Sequence, residues 1–270
     1  MTEQKYTAAQ ANRVAYDAGA PRNFLYGSPH LKHAQLRRMY ASLAARVYQN
    51  ALQSSASPRV LDLGAGEGSA TLPFLELGAR VTAIDVSARH LELLRAKCAR
   101  FHDRLEIRCE EIEDTLETNE RYDIVLIIST LHHIENYTAA LHRVVSLLAP
   151  RGQIFSFQDP LRYDTLSLWN KMFSAVAYGS WRAFKADAWG GVKRKMRRAR
   201  GIYHADSLAD SAEFHIVRNG VDQNAVLAQL RQDGFDSELI SYFSTQSCFF
   251  QPLGTMLGCK NTFAVLARKT

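Results

Sequence analysis

The chain has 270 residues, 47% of them hydrophobic and 22% charged, which is ordinary globular composition on a length that needs no covalent staples. Its net charge of +6 has one source, the run Lys193, Arg194, Lys195, Arg197, Arg198 and Arg200; without those six, the 33 Lys and Arg would match the 27 Asp and Glu. A broadly basic body is therefore excluded, and one basic patch sits on a neutral chain. Cys98, Cys109, Cys248 and Cys259 form no CxxC pair and no histidine pattern completes a zinc site, so free thiols and no metal are expected. The polar N-terminus MTEQKYTAAQANR lacks a signal-peptide core, and no stretch reaches the roughly 18 apolar residues of a membrane span, so a cytoplasmic location is expected.

In chain order, Val14 to Gln53 reads as helix, broken near Gly27, Ser28 and Pro29, with Leu36, Met39, Tyr40, Leu43 and Val47 at helical spacing. After a polar linker, strand and helix alternate. Strands are predicted over Arg59 to Leu63, Arg80 to Ile84, Leu105 to Cys109, Tyr122 to Ile128 and Gln153 to Gln158. Helices are predicted over Thr71 to Leu77, Ala88 to Phe101 and Tyr137 to Leu148, the last stopped by Pro150 and Gly152. Asp164 to Arg200 reads as mostly helical and holds Trp169, Trp181 and Trp189. A helix over Asp222 to Gln232 follows, then strands over Leu239 to Thr245 and Phe263 to Ala267, joined by a turn-rich stretch with Pro252, Gly254 and Gly258. Such alternation predicts an α/β, Rossmann-like, doubly wound, mainly parallel seven-stranded sheet with an antiparallel last strand. The expected organisation is one domain over 1–270. It comprises an N-terminal helical cap (1–57), a ligand-binding core (58–159), a helical insertion after strand five (160–220), and a closing helix with two strands (221–270).

The informative segment is Asp62-Leu63-Gly64-Ala65-Gly66-Glu67-Gly68-Ser69, between a strand and a helix. Glycines there let the backbone turn sharply and approach a ligand, and the following helix N-terminus is expected to present free amides. Asp85 ends the next strand, 23 positions after Asp62, where a carboxylate can accept both hydroxyls of a ribose. The alternatives are a tight turn without a ligand for the glycines and a helix N-cap for Asp85. A dinucleotide fingerprint wants a glycine where Ser69 stands, so the pattern is GxGxG with an acid two places before it.

These residues resemble the first motif of the class I S-adenosylmethionine-dependent methyltransferases, in detail over Arg59 to Gln158 and in outline at the closing helix and strands. The resemblance implies S-adenosylmethionine as cofactor, with S-adenosylhomocysteine as product. It implies that Asp62, Gly64, Ala65, Gly66 and Gly68 form the bed of its methionine part, that Asp85 holds the ribose, and that Val86 packs on adenine. Glu111, with Ile112 beside the ring, takes the role of the acid after strand three; a solvated surface acid is the other reading. Ser129, Thr130 and Leu131, leading into His132 and His133, resemble the segment that lies along the cofactor. Tyr26, in the helical cap beside His30 and His33, is a candidate for its carboxylate end.

Methyl transfer from a sulfonium is an in-line displacement, so alignment is the main task and an acceptor O–H or N–H also needs a base. His133 is the candidate, packing and cofactor support being the alternative; Asp159 and Tyr163 are placed on the acceptor side. The insertion, with Trp169, Phe173, Trp181, Phe184 and Trp189, reads as a helical lid or a hydrophobic acceptor pocket. The run 193–200 reads as a solvated face, as a site for an anionic acceptor or peripheral membrane contact, or, least favoured, as a nucleic-acid contact. The expected function is methylation of oxygen or nitrogen on a small molecule, hydrophobic or anionic: a secondary metabolite, sugar or lipid-linked intermediate. The rivals are an RNA or protein methyltransferase using the basic run and a non-catalytic binding protein. The sequence sets no oligomeric state.

Overall fold

A computed structural model describes residues 7–17, 28–115, 119–184 and 212–270. Tyr26, Trp189 and the basic run 193–200 lie outside the described residues. The elements in order are α1 (Ala8–Asp17), α2 (Pro29–Lys32), α3 (Ala34–Leu52), β1 (Arg59–Leu63), α4 (Thr71–Leu77), β2 (Arg80–Asp85), α5 (Ala88–Lys97), β3 (Leu105–Cys109), α6 (Ile112–Thr115) and β4 (Tyr122–Ile128). There follow α7 (Tyr137–Val144), β5 (Leu148–Pro160), α8 (Leu168–Phe184), α9 (Phe214–Arg218), α10 (Gln223–Gln232), β6 (Phe235–Tyr242), α11 (Phe250–Met256) and β7 (Thr262–Lys269).

The strands form one seven-stranded sheet in the order β3-β2-β1-β4-β5-β7-β6. The first five are parallel, and β7 runs antiparallel between β5 and β6. Strand order reverses between β1 and β4, so their carboxyl ends open the crevice where sheets of this kind take ligands. The central strands are apolar on both sides because both faces are covered. On one face Leu36, Tyr40, Phe74 and Leu94 of α3, α4 and α5 pack with Phe155 and Phe157. On the other, Leu141, Val144 and Leu230 of α7 and α10 pack with Leu61, Val125 and Val265. Each such side chain stabilises the fold by roughly 1.5–3 kcal/mol. Local signals fix the helix ends. Ser87, Asn136 and Asp222 cap α5, α7 and α10 through their side chains, and Gly78 stops α4 in the left-handed region.

Of the elements that differ from expectation, three are informative. Strand β5 starts at Leu148, because Arg151 takes φ +62° and the chain bulges at Pro150 and Gly152 instead of ending. Strand β6 begins at Phe235, as its edge position is set by antiparallel pairing with β7 rather than by its own alternation. The stretch read as turns contains α11. Pro252 falls in its first turn, where no N–H is needed, and Gly254 is there because a Cβ would lie 2.3 Å from the Phe243 ring. No described helix is long and apolar enough to cross a membrane.

Candidate active site

The turn after β1 is built on positive φ, +74° at Gly64 and +53° at Gly66. A Cβ at Gly64 would lie 2.7 Å from Thr130, so the loop after β4 packs directly on the turn. Gly66 has nothing within 4 Å of its Cβ position, and the backbone there faces open space. Of the amides expected to be free, those of the three glycines are already engaged. Gly64 and Ala65 both donate to the Ile84 carbonyl, Gly68 donates to Ala65, and Leu72 in the first turn of α4 donates to Gly68. The turn is closed by its own hydrogen bonds, so its glycines serve close approach rather than donation to an anion.

Asp85 sits at the tip of β2 with its carboxylate against this turn. Oδ2 accepts from the Gly66 amide at 2.8 Å and Oδ1 from the Ser87 amide at 2.9 Å. The cap of α5 is Ser87, whose hydroxyl oxygen accepts from the His90 amide, so Asp85 is not the N-cap. Each Asp85 oxygen keeps a second lone pair. Burial raises the carboxyl's pKa, opposed by the Ser87 and Gly66 amides and by His90, whose Nδ1 lies 3.9 Å away. Behind the turn, buried Asp62 accepts from the Thr71 hydroxyl at 2.6 Å through Oδ2, while Oδ1 has no protein partner. Burial pushes its pKa up to about 7.

Helix α1 closes over this edge and supplies residues the sequence reading missed. Asp17 accepts from the Ser87 hydroxyl at 2.7 Å, and Arg13 pairs with Glu111 at 3.4 Å. Glu111 is thus tied to α1 rather than freely solvated, although so exposed a pair contributes about 0–1 kcal/mol at most. The Tyr16 ring lies 4.8 Å from His90 and 6.2 Å from His133, between centroids. Tyr16 therefore spans from the Asp85 side to the β4 side of one crevice. The Tyr16-Asp17 pair ends α1, far in sequence from β2 and β4, and only the closing of α1 gives it meaning. Val86 and Ile112 are half-buried just past β2 and β3.

The edge of β4 and β5 is made of histidines. Ser129 adopts φ +57°, its amide donating to the Phe157 carbonyl. Buried Thr130 bonds the Ile128 carbonyl and abuts Gly64. The Leu131 side chain is fully buried in the core with Leu61 and Val125. Asp159 Oδ1 accepts from the His132 amide at 3.1 Å and bonds the ring Nδ1 at 2.8 Å; Oδ2 is buried without a protein partner. Burial disfavours charge on both members, raising Asp159 and lowering His132. The His133 ring lies 4.1 Å from that of His132, and its Nδ1 is 2.6 Å from the Ala212 carbonyl. A carbonyl only accepts, so Nδ1 carries the proton and Nε2 keeps a lone pair. Burial lowers the His133 pKa to about 4, so the ring is neutral at neutral pH. His215, not foreseen, bonds the Ile134 carbonyl at 2.8 Å and holds α9 against this loop. The Tyr163 hydroxyl donates to the Ile216 carbonyl, a structural tie to α9. His30 packs on Tyr40 and Phe157, and His33 bonds the Thr245 carbonyl; both hold α2 to the body.

A sheet of this order, with a glycine turn open at Gly66 and a carboxylate poised beside it, defines a Rossmann-like nucleoside-binding domain of the methyltransferase type. S-adenosylmethionine suits the residues present: Asp85 offers lone pairs to two vicinal hydroxyls, and Asp62 offers an unpartnered oxygen to an ammonium. Residues 61–154 match the family model described as a methyltransferase domain. Over 94 residues the chain is 34% identical to a ubiquinone biosynthesis O-methyltransferase of Rhodopseudomonas palustris (strain BisB5), covering 35% of this chain and 37% of that relative. The match thus spans little more than a third of the curated relative's length. A solved magnesium protoporphyrin IX methyltransferase from Synechocystis PCC 6803, with bound S-adenosylmethionine, superposes with a TM-score of 0.56 at 14% identity over the whole of both chains. A geranyl diphosphate C-methyltransferase from Streptomyces coelicolor A3(2) gives 0.53 at 12% identity, covering 88% of this chain and 82% of that one. At those identities the likeness is one of fold. The methyltransferase-domain match thus covers residues 61–154, about a third of the chain, and the fold of the whole chain is that of the solved methyltransferases.

Proposed function

We propose that the chain transfers a methyl group from S-adenosylmethionine to an O–H or N–H of a small molecule, with His133 as general base. The observation that carries this reading is the span of Tyr16, whose ring lies 4.8 Å from His90, the neighbour of Asp85, and 6.2 Å from His133. When bound, S-adenosylmethionine supplies a methyl group already activated on a sulfonium and leaves as S-adenosylhomocysteine. Asp85 would fix the ribose, and Asp62 would face the amine. Helix α1 would exclude water through Arg13, Tyr16 and Asp17, with Tyr26 a candidate beyond the described residues. Glu111, Val86 and Ile112 would border the adenine, and the backbone of Ser129 to Leu131 would run along the cofactor. His133 Nε2 would take the acceptor's proton while the Ala212 carbonyl holds the tautomer. A positioned base of this kind is worth roughly 10²- to 10⁴-fold in rate. Asp159, acting through His132 and the His133 ring packed against it, is a positioning residue.

Oxygen is the favoured acceptor atom, since the relatives matching the core carry O-methyltransferase in their names. The test is transfer of a labelled methyl group from the cofactor in the presence of cell extract, with small molecules separated from polymer. Label in the small-molecule fraction, lost in His133→Gln, supports the reading. Label in RNA or protein, or none in any fraction while the cofactor binds, overturns it.

A further inference from the structure

Helix α8 presents the wrong face to water. Its inner face is accounted for: Phe173 and Ala177 pack on Phe243 and Cys259, with Phe250 against the Phe173 ring. Between Leu168 and Gly179, eight positions are exposed, and Lys171 is the only charged one. Leu168, Trp169, Met172, Val176 and Tyr178 supply the rest of the large side chains, with Leu168 78% and Met172 64% exposed. Neighbouring α11 extends the apolar area, Phe249 and Met256 standing 71% and 76% exposed. An exposed apolar patch of this extent marks an interaction surface.

The charges carried by the two segments themselves have one sign. Residues 168–184 contain no Asp or Glu and carry Lys171 and Arg182; residues 243–262 contain no Asp or Glu and carry Lys260. The run that holds the chain's whole positive excess follows α8 in the sequence. We propose that the outer face of α8, with the exposed side chains of α11, docks on an anionic lipid bilayer surface. A helix lying in the headgroup plane buries apolar side chains and a tryptophan in the acyl boundary while cations meet the headgroups, which is the composition found here. A protein partner is less well matched, because nothing on this surface offers the second sign of charge. The inference goes beyond the methyl-transfer reading and stands without it, since vesicle binding is read with no cofactor or acceptor present.

The test is flotation of the full chain with phosphatidylcholine vesicles, with and without phosphatidylglycerol. The chain is expected to float with the anionic vesicles and to be released as salt rises. Met172→Glu combined with Val176→Glu is expected to cut the bound fraction roughly tenfold, and the milder Leu168→Ser severalfold, with circular dichroism unchanged. Failure of the parent chain to float, or flotation unaltered in all three substitutions, overturns the proposal. A dimer seen by analytical ultracentrifugation and dissociated by Met172→Glu would place a second copy on this face and overturn it as well.

Discussion

The tips of β2 and β5 each end in a buried carboxylate, yet the two are built for different tasks. Asp85 is held by two backbone amides, of Gly66 and Ser87, which fix its position and leave lone pairs facing the crevice. Asp159 is held by the amide and ring of His132, beside the Leu131 amide, and spends one oxygen on orienting that ring. A carboxylate capped by backbone suits a ligand's hydroxyls. One committed to an imidazole suits the positioning of other side chains. On the proposed reading, the cofactor edge is fixed by backbone amides and the acceptor edge by a cluster of aromatic and histidine rings.

The largest effect that would break this division lies at His133. His133→Gln is expected to lower turnover by roughly 10²- to 10³-fold while the affinity for S-adenosylhomocysteine stays within about threefold. A turnover within fivefold of the parent would remove the base from that edge. Next comes the charge state of His30, packed beneath Phe157 of β5, whose pKa burial lowers from 6.5 to about 4. The unfolded chain takes this proton more readily than the folded one, so the contribution is full above about pH 6.5 and is lost as pH falls toward 4. His30→Phe should flatten the acid limb of the stability curve by on the order of 3 kcal/mol, measured by urea unfolding across that window.

At the cofactor edge, Gly64→Ala meets both positive φ and Thr130, whereas Gly66→Ala meets only positive φ. The first should cost roughly 2–3 kcal/mol of stability and the second about 1, read from thermal or denaturant unfolding. Equal losses would mean that the loop after β4 does not seat on the turn. The smallest effect is at Asp159. Asp159→Asn keeps an acceptor for His132 and should lower turnover only about tenfold, with cofactor affinity unchanged. A loss of cofactor affinity instead would assign Asp159 to the cofactor edge.

The same division explains what was legible in the sequence. At the cofactor edge each signal is local: the glycine turn, the acid at a strand end and the apolar runs of β1 and β4 announce themselves within a few residues. Thr71 to Leu77 and Leu105 to Cys109 have the predicted ends for that reason. The acceptor edge depends on residues far apart in the chain. Tyr16 meets His133, His133 meets Ala212, and His215 meets Ile134, and no short window contains both partners. Leu131 lies in a segment expected to run beside the cofactor, yet its side chain turns into the core, a direction that depends on the 3₁₀ turn at Leu131–His133. Helix α11 was hidden because Pro252 and Gly254 look like turn residues, while the packing of Phe243 that requires Gly254 is tertiary.

The most direct test of the account is calorimetric titration of S-adenosylhomocysteine into the parent chain and into Asp85→Ala. The account predicts that the parent binds and that the variant, folded by circular dichroism, loses at least about a hundredfold in affinity, as expected when two hydrogen bonds to a charged group are removed. Equal affinity in the two proteins would contradict it.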